Sequence, residues 1–405
     1  MSHEELNPYH RLLGRVIVLL MICHASLYLN FYIQNGLLLK RIKDWDVILG
    51  LSAITLSLLL FTTAFAQIRN YSYRLFFYLH VTLSMALLPI LFLHVTYLRV
   101  YTLEALAAYI VLILQRNYFQ APANATVTRL PPTNLLSISV PLTKSLRLKR
   151  YVPGQHIYIS FPSLPQKLRL NPFTIANLPS QDGKIHLFAR SLSGSTAMLA
   201  DLATRVQPTP LIFEGPYGAA SYFPDLSTFD RILLVAGGVG ATFTLPIYTS
   251  LLKATNGQAG KVRSVWTVKY PADASWGVEM LRREFDELPG GFELHVSGGP
   301  APVKGGSVKD GAEVDEIELQ ERTGLLNEEA SSDEALEGSA DANIMKRGRA
   351  NLQSVVDEVF SHDASDAVAV LVCGPQGMGV SVRKEVGKWV GRGRDVFWHA
   401  EEFGW

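Results

Sequence analysis

Residues 10–24 read HRLLGRVIVLLMICH, and residues 80–94 read HVTLSMALLPILFLH. In each, a histidine opens and closes an apolar run, with thirteen residues between the two. On an α-helix, fourteen steps of about 100° end about 40° short of four turns, so the two histidines of a run share a face. Fourteen rises of about 1.5 Å set them roughly 21 Å apart along the axis. Two such helices side by side would present four imidazoles at two levels, with His10 facing His80 and His24 facing His94. Ionisable groups inside apolar runs are costly and mark function. One histidine reads as a hydrogen-bonded packing residue, but two pairs with the same spacing do not. Neutral imidazole coordinates iron. Two imidazoles per iron fill both axial positions, which leaves electron transfer rather than oxygen binding. The pattern predicts two b-type haems with His10, His24, His80 and His94 as metal ligands.

These runs belong to four apolar stretches, at about 12–33, 47–67, 75–98 and 102–114. The first three reach the ~20 residues that span hydrocarbon, whereas the fourth is short and carries Glu104 near its start. One stretch returns between the two histidine helices, so those two run in the same direction. Residues 1–9 are polar and the run after them is too long for a signal-peptide core, so no cleavable signal is expected. Arg11, Arg15, Arg69, Arg74 and Arg116 fall on one side, and Lys40, Arg41, Lys43 and Arg99 on the other. The positive-inside rule barely separates the two sides.

The whole chain of 405 residues is 48% hydrophobic and 18% charged. Soluble domains average about 25% charged, so this composition excludes a largely disordered or coiled-coil protein. A net charge of +1 gives nucleic acid nothing to bind. Two cysteines exclude a disulfide framework, a four-cysteine zinc site and a thiolate-held iron–sulfur cluster.

The texture changes after residue 121. Short β-rich runs at 135–140, 156–161, 184–189 and 211–213 alternate with Pro/Gly turns, the pattern of an antiparallel barrel or sandwich. From residue 231, apolar strands at 232–236, 262–268 and 368–372 alternate with helical segments, which predicts a parallel α/β sheet. Residues 304–346 are acidic, rich in Gly, Ser and Ala and free of aromatics, and read as a disordered tether.

Two stretches on the β-rich part suit a flavin nucleotide. Asn171, Pro172, Phe173 and Thr174 offer a hydroxyl and backbone groups to a flat ring. Arg190, Gly194 and Thr196 offer a cation, a turn and donors to a diphosphate. Further on, Gly237, Gly238, Gly240 and Thr242 lie between a strand and a helix, where backbone N–H groups can approach a pyrophosphate. Lys269, at the end of the next strand, suits a 2′-phosphate and hence NADPH; the alternative is an ordinary surface lysine. Cys373, Gly374 and Pro375 follow another apolar strand, at the sheet edge where α/β folds bind ligands. Cys373 reads equally as a small buried strand-end thiol. The terminal Trp405 reads as a stacking aromatic or as a packed terminus.

With these residues in place, the chain resembles the fungal ferric-chelate reductases, relatives of the NADPH oxidases. The resemblance implies a multi-domain membrane protein. An α-helical transmembrane haem bundle over residues 1–118 would precede an antiparallel β-barrel FAD domain over 121–226. An α/β Rossmann-like NADP-binding domain would follow over 228–405. It implies catalytic roles for Cys373 and Trp405 at the nicotinamide and flavin, and adds Glu402 and Phe403 to the tail motif. Electrons would pass from cytosolic NADPH through FAD, then the His10/His80 haem, then the His24/His94 haem, to extracytoplasmic ferric or cupric chelates. Iron uptake, with a permease/oxidase system as partner, follows from the same resemblance. So does a plasma-membrane location, with the vacuolar membrane as alternative; with the NADPH module in the cytosol, an even number of helices puts the N-terminus there too. The basic loop 40–43 is expected to attract anionic chelates. Two departures stand out. Asn171 replaces the family's usual His. At least two further membrane helices are expected ahead of the first histidine helix, so the chain reads as N-terminally truncated. A superoxide-generating NADPH oxidase and a non-catalytic haem-binding paralogue remain open as alternatives.

Overall fold

The computed structural model describes residues 3–142, 151–160, 171–179, 183–191, 195–255, 260–285, 287–298 and 345–401. It divides into two compact units, Met1–Gln120 and Ala121–Trp405.

The first unit is helical. Helices α1 (His3–Gln34), α3 (Trp45–Thr63), α5 (Tyr73–His94) and α6 (Leu98–Phe119) are joined through the short α2 (Leu38–Arg41) and α4 (Ala66–Tyr71). Four spans are long and apolar enough to cross a membrane: Leu6–Gln34, Trp45–Thr63, Leu75–His94 and Leu98–Phe119. The last span corrects the sequence expectation. It has 22 residues, because helical hydrogen bonding continues through Arg99 and Glu104 at one end and Arg116 at the other. Polar residues near a helix end can lie at headgroup depth without ending the helix. Leu19, Leu20 and Ile17 keep more than half of their surface exposed, the pattern of a unit whose solvent is hydrocarbon. Helix α3 packs mainly on α5, with α1 on α3 and α6 on α5. The small residues Ala53 and Ser57 are buried on α3, as expected where helices approach closely without a hydrophobic driving force.

The second unit begins with a six-stranded sheet. Its strands are β1 (Gln120–Leu130), β2 (Leu135–Pro141), β3 (His156–Ser160), β4 (Asn171–Thr174), β5 (Lys184–Arg190) and β6 (Thr209–Tyr217), in the order β4-β3-β6-β1-β2-β5. An antiparallel bridge from Ile175 to Leu187 joins the two edges, so the sheet closes as a barrel rather than a sandwich. Asn177 pins this closure. Its amide donates to the Lys184 carbonyl at 2.8 Å, and its side-chain oxygen accepts the His186 N–H at 2.9 Å. Alternate residues Ile138, Val140, Ile157, Ile159, Ile185 and Leu187 fill the barrel together with Leu199 of helix α7 (Ser195–Arg205).

A six-stranded parallel sheet follows, built from β7 (Arg231–Gly237), β8 (Val262–Val268), β9 (Phe292–Val296), β10 (Met345–Arg347), β11 (Val368–Cys373) and β12 (Val396–Glu401), in the order β10-β9-β8-β7-β11-β12. Helices α8 (Ala241–Ala254) and α9 (Ser275–Glu284) contribute to one core cluster, and α10 (Leu352–Phe360) and α11 (Gln376–Val390) to the other. Leu234 and Ala236 of β7 belong to the first cluster, and Leu233 and Val235 to the second. Apolar residues on both faces are what a parallel sheet between two helix layers requires. Residues 345–346, expected in the disordered tether, form part of β10; Lys346 bonds Glu293 across the strand pair at 2.7 Å. The rest of the expected tether lies outside the described residues.

Candidate functional site

In the membrane unit, the rings of His10 and His80 lie 6.0 Å apart, centroid to centroid. That separation admits one metal atom bound at about 2 Å from a nitrogen of each ring. Nδ1 of His80 is buried without a hydrogen-bond partner. His94 is the last residue of α5, and its Nδ1 lies 2.7 Å from the Asp46 carbonyl. A carbonyl only accepts, so Nδ1 carries the proton and Nε2 keeps its lone pair. Metal-bound histidines characteristically donate their other N–H in this way. The His94 ring also fills the place of a missing side chain: a Cβ on Gly50 would stand 2.7 Å from its Cε1. The His24 ring lies against Tyr28 at 4.8 Å. The structure therefore brings His10 and His80 together, with their rings at 79° to each other, while His94 is turned onto α3. Among the described residues, no group of three or more His, Cys, Asp or Glu is placed to hold a metal ion. An imidazole pair is a donor set for haem iron, and His10 with His80 fits it.

The loop before α3 differs from its sequence reading as an open cationic patch. Arg41 is bound by Asp44, and by Asp46 at 2.6 Å, and its guanidinium lies 5.7 Å from the Tyr32 ring. Lys40 and Lys43 are exposed.

On the barrel, β4 pairs with β3 so that Thr174 lies opposite His156 and Pro172 opposite Tyr158. Thr174 and His156 are buried, and the His156 ring lies 5.5 Å from Tyr158 and 6.4 Å from Tyr217. Phe173 is half-buried. The sequence reading missed this aromatic cluster; the signal available was the Gly154-Gln155-His156 turn leading into a strand. Arg190 ends β5. Its Nε is buried without a hydrogen-bond partner, the Asp273 carboxylate stands 3.9 Å from its Nη2, and a Cβ on Gly238 would stand 3.8 Å from the same nitrogen. An incompletely paired guanidinium beside a glycine loop fits a diphosphate. Thr196 lies in the first turn of α7. Gly194 and Trp405, with Glu402 and Phe403, lie outside the described residues, as does the side chain of Asn171.

At the sheet, the strand order reverses between β7 and β11, and ligands of open α/β folds bind at such a point. The two loops there interlock. A Cβ on Gly240 would overlap the Cys373 carbonyl, standing 2.6 Å from its carbon, and one on Gly237 would stand 2.7 Å from Cδ of Pro375. A Cβ on Gly374 would stand 3.0 Å from the Gly237 nitrogen. Gly238 has φ +54°, and its carbonyl accepts Nε1–H of Trp266 at 2.8 Å. Gly238–Gly240 form a 3-10 turn that runs into α8, and no side chain caps it at Gly237, which leaves the N–H groups of that turn for an anion. The cradle fits a nucleotide pyrophosphate. Thr242 gives its hydroxyl to the Val239 carbonyl at 2.9 Å, so it braces the loop. Lys269 is exposed at the carboxyl end of β8, with its Nζ 5.5 Å from the Tyr270 ring. Cys373 is fully buried, and burial first, then the Glu401 carboxylate, push its thiol well above the ordinary range. It is a neutral thiol at pH 7. Glu401 lies opposite it on β12 and is bonded to His399 at 2.9 Å.

Comparison with known proteins follows the same division. Residues 1–114 match the family described as ferric reductase like transmembrane component, 120–221 an FAD-binding domain, and 229–387 the ferric reductase NAD binding domain. Ferric/cupric reductase transmembrane component 2 of Saccharomyces cerevisiae is 25% identical over 94% of this chain and 53% of its own length. The protein of the same name in Schizosaccharomyces pombe is 23% identical over 99% of this chain and 75% of its own. Ferric reductase transmembrane component 3 of S. cerevisiae is 22% identical over 91% of this chain. The chain thus spans about half the length of the two S. cerevisiae relatives (53% and 51%). With three matches following one another from residue 1 to residue 387, the chain belongs to the ferric reductase family as an integral membrane protein carrying FAD- and NAD(P)-binding domains.

Proposed function

We propose that the chain is a transmembrane metalloreductase that moves electrons from cytosolic NADPH, through FAD and two b-type haems, to ferric or cupric chelates on the opposite side of the plasma membrane, in support of iron uptake. The balance is one NADPH and two ferric ions giving NADP⁺, a proton and two ferrous ions. The observation that carries the reading is the His10–His80 pair, 6.0 Å apart on apolar helices of the same chain that folds a glycine cradle at a sheet's switch point. When bound, the nicotinamide supplies a hydride, the flavin divides that donation into single electrons, and a haem with two imidazoles changes only its oxidation state.

The chain's own residues serve binding and orientation. His10 and His80 hold one iron; His94, with His24, holds the other. Arg190, with Gly194 and Thr196, takes the flavin diphosphate, and Pro172, Phe173 and Thr174 bound its ring beside His156 and Tyr158. Asn171, in place of the family's His, keeps both a donor and an acceptor for the flavin. The N–H groups of Gly238–Gly240 take the NADPH pyrophosphate, and Lys269 takes the 2′-phosphate. Cys373 acts through shape, since its neutral thiol is enclosed, with Gly374 and Pro375 forming the nicotinamide side of the cradle. Trp405 would be the aromatic that covers the flavin ring when no nicotinamide is bound.

The test is spectroscopic. Full-length protein in lipid nanodiscs, given NADPH, should reduce its haem and release ferrous iron to a chelating dye. His80→Ala should lose about half of the haem absorbance while NADPH still bleaches the flavin. Superoxide in place of ferrous iron would favour an oxidase, and haem that NADPH never reduces would sink the enzyme reading.

A further inference from the structure

We propose that Arg41, Asp46 and Gly50 form a positioning clamp for His94, one that fixes its ring and strengthens its donation to iron; this rests on reading His94 as a haem ligand. His94 closes α5, where the helix no longer constrains the backbone that follows, so its orientation has to come from a partner. The first turns of α3 provide one. The Asp46 carbonyl receives Nδ1–H at 2.7 Å. By helical geometry the same carbonyl takes the Gly50 N–H, and its second lone pair serves His94. Four residues on, Gly50 lies on the same face, and only a residue without Cβ leaves space for the imidazole, since a Cβ would stand 2.7 Å from Cε1.

Arg41 fixes that turn from outside. It binds Asp44, the residue just ahead of α3, and Asp46 at 2.6 Å, while its guanidinium lies 5.7 Å from Tyr32 near the end of α1. One guanidinium with two carboxylates and a ring holds the start of α3 to the end of α1. A carbonyl held at Nδ1–H moves electron density toward Nε2, which favours ferric over ferrous iron. His80 has no such partner at its Nδ1. The clamp therefore makes the two haem levels unequal by an interaction that neither histidine carries itself.

Redox titration of haem-loaded full-length protein in nanodiscs, followed optically and by EPR, reads this directly. His94→Ala identifies the component that depends on His94. Gly50→Ala, which displaces the ring, should shift that component's ferric/ferrous equilibrium toward ferrous by about tenfold, about 59 mV for one electron, and change its g values. Arg41→Gln should shift it the same way but less, and Arg41→Lys should restore part of the shift. A component that titrates unchanged in Gly50→Ala and Arg41→Gln, with haem retained, overturns the clamp while the reading of His94 stands. If His94→Ala keeps both components, the reading of His94 fails and the clamp's role with it. If Gly50→Ala does not accumulate, Arg41→Gln against Arg41→Lys decides, and equal potentials overturn the proposal.

Discussion

Gly50 in the membrane unit and Gly240 in the reductase unit are both places where a Cβ does not fit, yet they make room for different things. Gly50 admits a side chain, the His94 imidazole; Gly240 admits backbone, the Cys373 carbonyl. A ring at a helix end can rotate away from an added methyl group, so crowding Gly50 changes the orientation of a ligand. A carbonyl at the end of β11, held between β7 and β12, cannot move without disturbing the strand register that joins the three. The membrane unit holds its site by adjustable side chains on exposed helices, and the reductase unit by interlocked main chain.

That contrast can be broken most forcefully at Gly240. Gly240→Ala should destabilise the reductase unit by about 3 kcal/mol or more and abolish flavin reduction by NADPH, with haem content unchanged. Thermal unfolding followed by flavin release, beside a haem spectrum, checks both halves. Equal loss of haem and flavin would mean that the two sites do not fail separately. Next in size, Arg190→Gln should weaken FAD retention by about 1.5–3 kcal/mol, the range for a charge-assisted hydrogen bond, measured as the flavin remaining after dialysis.

Acid titration sharpens the contrast further. Glu293 bonds His295 at 3.3 Å, Lys346 at 2.7 Å and Arg263 at 2.7 Å, and with His295 as the largest cause its carboxyl is held down to about 2. A depressed carboxyl contributes stability above its unfolded-state pKa near 4.5, and that stability is lost as pH falls from there through about 2. The fall from 4.5 to about 2 corresponds to about 3.4 kcal/mol at most; with the exposed Lys346 screened by solvent, about 2 kcal/mol should disappear over that window, and Glu293→Gln should flatten it in urea titrations of the reductase unit. Lys269→Ala should cost about tenfold in preference for NADPH over NADH, or about 1.4 kcal/mol, read as a ratio of kcat/KM. The smallest effect belongs to the membrane unit. Replacing both Lys40 and Lys43 with Ser should raise the KM for an anionic ferric chelate about twofold, and only at low salt. Arg41 is left out of that test because its charge is already matched by Asp44 and Asp46.

The pairing of His10 with His80 was legible in the sequence because a helix converts spacing into direction. The hydrogen bond from His94 to Asp46 was not, because its partners lie 48 positions apart on different helices. In the reductase unit, the strand 368–372 could be read directly, since burial on both faces leaves an unbroken apolar run, and 262–268 could be read from Val262, Val265, Trp266 and Val268 despite Arg263 and Ser264 between them. The short β10, with intermediate and exposed residues, gave no such signal. The bond from the Thr242 hydroxyl to the Val239 carbonyl, three residues back, is by contrast a local one, of the kind a threonine in a helix's first turn makes.

Local order along the chain was enough to determine the membrane-spanning character, the shared faces of the paired histidines, the change to β structure and the succession of flavin and nicotinamide motifs. Each follows from periodicity or turn chemistry within a few residues. Tertiary structure alone decided that the barrel closes through Ile175 and Leu187, that Gly240 abuts the Cys373 carbonyl, and that His94 is seated on Gly50 with its proton on the Asp46 carbonyl. These contacts join distant segments, and close packing and hydrogen-bond geometry, which select them, act only once the chain has brought those segments together.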